Sequence, residues 1–211
     1  MGRSANLAAL GYAAFAITLW LVSMGAAGWL GPPAAGIASL AAQPPTGDLL
    51  PMLAATLGGG VMAVVGMTQW WRGRALDATL FLAFAAFWWV AALSSRAMGS
   101  QVPTIKPSGL LGWYYIAWSL LAFCIWLGWW RRDIARMLFA LGLCASLFAF
   151  ALADWLGLDA LTVLGGYLGL VTAILGIYVA AALVVNQAHG RILLPLGDAG
   201  MHDGRDQRDG E

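Results

Sequence analysis

The sequence predicts an all-α membrane protein with six transmembrane helices, on three observations. Six long apolar stretches run over residues 7–30, 52–71, 78–95, 109–130, 137–153 and 160–185. All ten acidic and eleven basic residues fall outside those stretches or at their rims. Hydrophobic residues make up 61% of the chain and charged residues 10%, against ~25% charged in an average soluble domain. A soluble protein of this composition could not cover its surface. The hydrocarbon core of a bilayer takes ~20 apolar residues of helix, with a usable range of roughly 17–25. All six stretches are long enough, the fifth only just. Lipid offers free backbone groups no partner, so each stretch must be a helix that satisfies its own hydrogen bonds.

The first stretch is longer than a secretory apolar core and lacks a small-residue cleavage site, so it reads as a retained helix. Residues 31–51 form the long outer loop. Its prolines at 32, 33, 44, 45 and 51 favour extended, stiff backbone. Arg72 to Asp77 and Arg131 to Arg136 are short cytoplasmic turns, which pair the second helix with the third and the fourth with the fifth. Between the third and fourth helices, residues 96–108 carry Pro103 and Pro107. Cys124 and Cys144 fall mid-helix as small apolar residues, and no disulfide framework is expected. Residues 1–197 form one transmembrane domain. Residues 198–211, rich in Asp, Arg and Gly without apolar periodicity, read as a disordered cytoplasmic tail.

An even helix count puts both termini on one side. That side holds Arg3, Arg72, Arg74, Arg131, Arg132, Arg136, Arg191, Arg205 and Arg208, against Arg96 and Lys106 opposite. The bias is a positive-inside signal, so both ends are expected in the cytoplasm of a cell whose inner membrane the protein spans. Trp29, Trp70, Trp71, Trp113, Trp129, Trp130 and Trp155 lie near segment ends, as interfacial anchors do. Trp20, Trp88, Trp89, Trp118 and Trp126 are deeper and read as packing residues. Gly165, Gly169 and Ala173 recur on one face of the sixth helix, and Gly58, Gly59, Gly60 and Gly66 mark the second. Such faces permit close backbone approach. They suit tight intramolecular packing or oligomerisation, and the sequence does not choose.

No ionisable residue lies near the middle of any span, which disfavours a pump or a carboxylate-based proton exchanger. There is no metal-spaced cluster, no nucleophile beside a base and no phosphate loop. Neither catalysis, a cofactor nor a metal is expected. His189 and His202 read as surface residues. A net charge of +1 gives no pointer to nucleic acid, and none is expected as a partner. What remains is a pore lined by apolar, aromatic and hydroxyl or amide groups, suited to a small weak acid or a neutral solute.

Several residues carry a family resemblance. The chain closes on Tyr178-Val-Ala, Asn186, Gly190-Arg191 and Pro195-Leu-Gly197, and opens on Asn6-Leu-Ala-Ala-Leu-Gly-Tyr. Between them Gly59-Gly60, Gly66, Gly73, Phe87-Trp88, Leu111-Gly112, Tyr114 and Trp118 fall at compatible spacing. This ordered set resembles the acetate uptake transporter family, which holds the bacterial succinate–acetate/proton symporter and the yeast acetate and ammonia exporters. The likeness covers nearly the whole chain except the outer loop and the tail.

The resemblance implies a homohexamer in the lipid bilayer, each protomer passing acetate and related short carboxylates through its own pore. It implies an apolar constriction at Phe15, Phe84 and Leu143. These positions lie eight, six and six residues past the starts of the first, third and fifth stretches, roughly 9–12 Å deep, on helices that all enter from the cytoplasm. Asn6, Thr18, Ser23, Tyr178 and Asn186, with helix-end dipoles, are candidates to meet the substrate along its path. The chain departs from the family at Leu7 and Ala9, which replace the opening prolines. It departs again at Phe84, where the constriction carries a tyrosine, and at Gln69, where the second helix carries an acid. The expected function is a passive or proton-linked carrier of acetate-type carboxylates, with succinate as a further substrate. A urea, short-amide or ammonia channel of similar architecture is the alternative within transport. A non-transporting membrane subunit that holds a partner is the alternative from another class.

Overall fold

The computed structural model describes residues 7–35, 49–99 (side chains to 94) and 109–197. Asn6, most of the outer loop, Pro103, Pro107 and the tail lie outside the described residues, as do the expectations placed on them. Among the described residues there are six helices long and apolar enough to cross a membrane. They are α1 (Ala8–Ala26), α2 (Leu49–Trp71), α3 (Ala75–Gly99), α4 (Leu110–Trp129), α5 (Ile134–Leu156) and α6 (Asp159–His189). The fold is all-helical, and the protein is a multi-pass membrane protein.

Packing follows the short turns. The α2–α3 and α4–α5 pairs are antiparallel neighbours as expected, and α6 lies against both α1 and α5. The small residues of α6 serve contacts inside the protomer. A Cβ on Gly166 would fall 2.5 Å from the Ala27 backbone nitrogen, and one on Gly176 would fall 2.9 Å from the Phe139 ring. Gly165 receives the Phe150 ring and Gly169 the Ser23 side chain. Ala173 is buried. With Gly on α6, backbones approach at a distance that larger side chains forbid, and dispersion between the helices gains accordingly. The choice that the sequence left open therefore falls to intramolecular packing for this face.

In α2 the run Ala54–Val61 winds as a π-helix between α-helical turns. Its glycines meet two tryptophans of α3, with Gly58 against Trp88 and Gly59 against Trp89. The Trp89 indole donates to the Ala55 carbonyl at 3.1 Å. Wide turns of this kind misalign the backbone ladder, which leaves carbonyls free for side-chain donors.

Two helices extend beyond their apolar stretches. Helices α3 and α5 begin three residues earlier than the apolar stretches did, at Ala75 and Ile134. Asp77 and Arg136 are thereby inside helices rather than in exposed turns. Asp133 caps α5, accepting from the Arg136 backbone N–H at 3.0 Å. Trp129, at the end of α4, is buried beneath the Arg136 guanidinium, 4.6 Å from the ring centroid.

Candidate functional site: a closed path between three co-directional helices

Helices α1, α3 and α5 run in the same direction through the bundle, because each is followed by one helix of opposite sense. Their facing side chains line one narrow cavity. Phe15, Leu19, Val22 and Ser23 come from α1, Phe84, Phe87 and Trp88 from α3, and Leu143, Ser146, Leu147 and Phe150 from α5. Within each helix these positions recur at three- and four-residue spacing, which puts them on a single stripe. About 20 Å³ of this space admits the centre of a water molecule. That is room for about one water, given a minimum of ~10–15 Å³.

Phe15, Phe84 and Leu143 all lie on this cavity and are all buried. They sit seven, nine and nine residues past the observed helix starts, roughly 11–14 Å along their helices at 1.5 Å rise per residue. The rings of Phe15 and Phe84 are 5.2 Å apart. Toward the start of the helices a second aromatic layer follows. Tyr12 meets Phe81 at 5.1 Å and Phe139 at 5.5 Å, both edge to face, and Phe15 meets Phe139 at 5.2 Å. Such ring pairs stabilise by ~0.5–1.5 kcal/mol beyond their buried area. Gly11 makes this layer possible, since a Cβ there would fall 2.7 Å from the Phe81 ring.

Below the rings lies a group of charges that the sequence reading missed. Asp77 of α3 accepts from the Tyr12 hydroxyl at 3.2 Å and pairs with Arg136 of α5 at 3.8 Å. Arg136 also pairs with Asp133 at 3.3 Å and lies over the Tyr12 ring at 5.6 Å. Asp77 and Asp133 are buried. The available signal was register. Asp77 is seven residues before Phe84, and Arg136 is seven before Leu143, two turns along the same helix faces.

The polar candidates separate into two groups. Ser23 lines the cavity, and its buried hydroxyl has no hydrogen-bond partner among the described residues. Ser146, across from it, donates to the Gly165 carbonyl at 2.8 Å and keeps its lone pairs for a ligand. Trp88 lines the same cavity, and its buried indole N–H also has no partner among the described residues. Thr18 is buried but lies off the cavity, donating to Ala14 of its own helix at 2.8 Å.

Tyr178 and Asn186 also lie away from the cavity, with their polar groups engaged elsewhere. The Asn186 side chain accepts from the Leu193 and Leu194 N–H groups at 2.8 and 2.9 Å and donates to the Leu194 carbonyl. The Tyr178 hydroxyl donates to the Pro195 carbonyl at 2.6 Å. The strap so held places the Leu196 and Gly197 carbonyls on the Ala135 and Ile134 N–H groups, donors that a helix start leaves unpaired. Through these bonds the two signature residues hold residues 193–197 as a cap on the start of α5. Gln69 is fully buried, and neither polar atom of its amide has a partner among the described residues.

Comparison with known proteins agrees with this architecture. A solved structure of the bacterial acetate channel SatP matches with a TM-score of 0.78 at 21% identity, covering 92% of this chain and 100% of that one. That likeness is one of fold. A protein of Methanothermobacter thermautotrophicus is 22% identical over 205 residues, 92% of this chain and 91% of the relative. The succinate-acetate/proton symporter SatP of Escherichia coli is 26% identical over 147 residues, 67% of this chain and 76% of the symporter. The model of the GPR1/FUN34/yaaH family matches residues 2–197, and the chain belongs to that family.

Proposed function

We propose that this chain carries acetate and related short-chain carboxylates across the membrane, passively or with a proton, along the cavity between α1, α3 and α5. The observation that carries this reading is the meeting of Phe15, Phe84 and Leu143 on one narrow, buried cavity. An apolar constriction of this width rejects a hydrated ion, because stripping a charge of water without a countercharge is costly. Undissociated acetic acid has no such penalty. Proton linkage then follows from the proton that the acid itself carries, since no charged side chain lines the constriction cavity.

Next to the constriction, the Ser23 hydroxyl and the Trp88 N–H offer donors, and Ser146 offers an acceptor. That neutral set suits a carboxylic acid, whose carbonyl accepts and whose hydroxyl donates. Family membership and the likeness to SatP support the substrate class, and succinate belongs to the same proposal. The wall's neutrality also favours one rival, a small amide such as urea. Uptake into proteoliposomes decides between them. Labelled acetate should enter faster than urea or ammonium, and an inward proton gradient should speed it. Urea entering faster than acetate would overturn the assignment.

Assembly and orientation belong to the same reading. The large side chains exposed on α4 and α6, such as Leu120, Phe123, Val171 and Ile174, suit lipid or neighbouring copies. We take the assembly to be a homohexamer with both termini cytoplasmic, on the resemblance and on the arginine bias.

A further inference from the structure

We propose that Asp77, Arg136 and Asp133 hold shut a second, inner gate, formed by Tyr12, Phe81 and Phe139 one layer below the constriction. The proposal rests on the pore reading above. Its ground is the register of the three co-directional helices. Tyr12 lies three residues before Phe15, Asp77 seven before Phe84, and Arg136 seven before Leu143, so all three share the cavity-facing stripes. Helical side chains lean toward the N-terminus of their helix, which aims the tyrosine away from the constriction and at the charges. Its hydroxyl reaches Asp77 at 3.2 Å, while the Arg136 guanidinium covers its ring at 5.6 Å.

A single guanidinium thus touches residues of all three pore helices. It reaches α3 through Asp77 at 3.8 Å, the start of α5 through Asp133 at 3.3 Å, and α1 through the Tyr12 ring. It also stacks on Trp129 of α4 at 4.6 Å. Tyr12 and Phe81 are fully buried and Phe139 nearly so, so no solute passes this layer as it stands. Packing alone would fill the layer with apolar side chains. Buried ion pairs add little net stability over apolar residues of similar volume, but they fix one arrangement until the pair parts. Passage requires Tyr12 to swing from Asp77 and the helix starts to separate, and the ion pairs set how often that happens.

Flux of labelled acetate into proteoliposomes holding the full chain tests this. Two barriers in series give a specific pattern. Asp77→Asn or Tyr12→Phe should raise flux at least about twofold. Either one combined with Phe15→Ala should raise it by more than the product of the single effects. The charge-swapped pair Asp77→Arg with Arg136→Asp should return flux toward the parent's. Tyr12→Phe removes one hydroxyl only and keeps the test open where the charge variants fail to fold. The proposal is overturned if Phe15→Ala raises flux while Asp77→Asn and Tyr12→Phe, alone or combined with it, add nothing. A parent with no flux above protein-free vesicles would instead overturn the pore reading, and the inner gate with it.

Discussion

Phe84 carries no hydroxyl at the position where the family resemblance implies a tyrosine. A tyrosine hydroxyl at a constriction offers a hydrogen bond in place of lost water, and Phe84 offers none. Restoring it with Phe84→Tyr should raise the preference for acetate over urea by up to about tenfold, since one hydrogen bond contributes ~0.5–1.5 kcal/mol. Competition between the two labelled solutes in proteoliposomes measures that ratio. An unchanged ratio would place the ring outside the path. Asn186 makes the opposite kind of prediction. Its side chain holds the closing strap through three hydrogen bonds, so Asn186→Ala should cost ~1.5–4 kcal/mol. The thermal midpoint in detergent should fall while substrate preference stays put. A changed preference at unchanged stability would return Asn186 to the substrate path.

At the scale of the helix, glycine positions divide into those that touch another backbone and those that do not. Gly166 faces the Ala26–Ala27 backbone, which cannot step aside, whereas among the described residues a Cβ on Gly60 would meet only the Ala55 carbonyl, at 3.7 Å. Gly166→Ala should therefore separate α1 from α6 and lower the yield of folded protein. Gly60→Ala should be neutral, or stabilising by up to ~1 kcal/mol from helix propensity. Size-exclusion profiles of the two purified variants show the difference, and equal behaviour would contradict the packing described. Six helices were legible in the sequence because apolar length and charge exclusion are local properties. The layer of Phe15, Phe84 and Leu143 was legible only through family resemblance, supported by equal depth on co-directional helices. Two features were not. The π-helical run of α2 depends on Trp88 and Trp89 arriving from another helix. The buried charges were hidden because Asp77 and Arg136 look like turn residues until the helix starts are known. The strap that Tyr178 and Asn186 hold against the start of α5 was hidden for a related reason, because its contacts are invisible along the chain.

Across the whole molecule, α1, α3 and α5 face one another over a narrow buried cavity, the solute path we propose. Topology is open to direct test. A reporter fused after Glu211 should be cytoplasmic, and labelling it from outside would reverse the orientation. Native mass spectrometry of the detergent-solubilised protein should give six copies, and monomers as the sole species would refute that assembly. The central claim, that solute passes between Phe15, Phe84 and Leu143, is tested most directly by acetate and succinate flux through purified Leu143→Ala and Phe15→Ala. A residue that only fills a core loses ~2–5 kcal/mol on such truncation and gains nothing in return. The account predicts folded variants that pass acetate faster than the parent and admit the larger succinate more readily. Folded variants with the parent's rates for both solutes would contradict it.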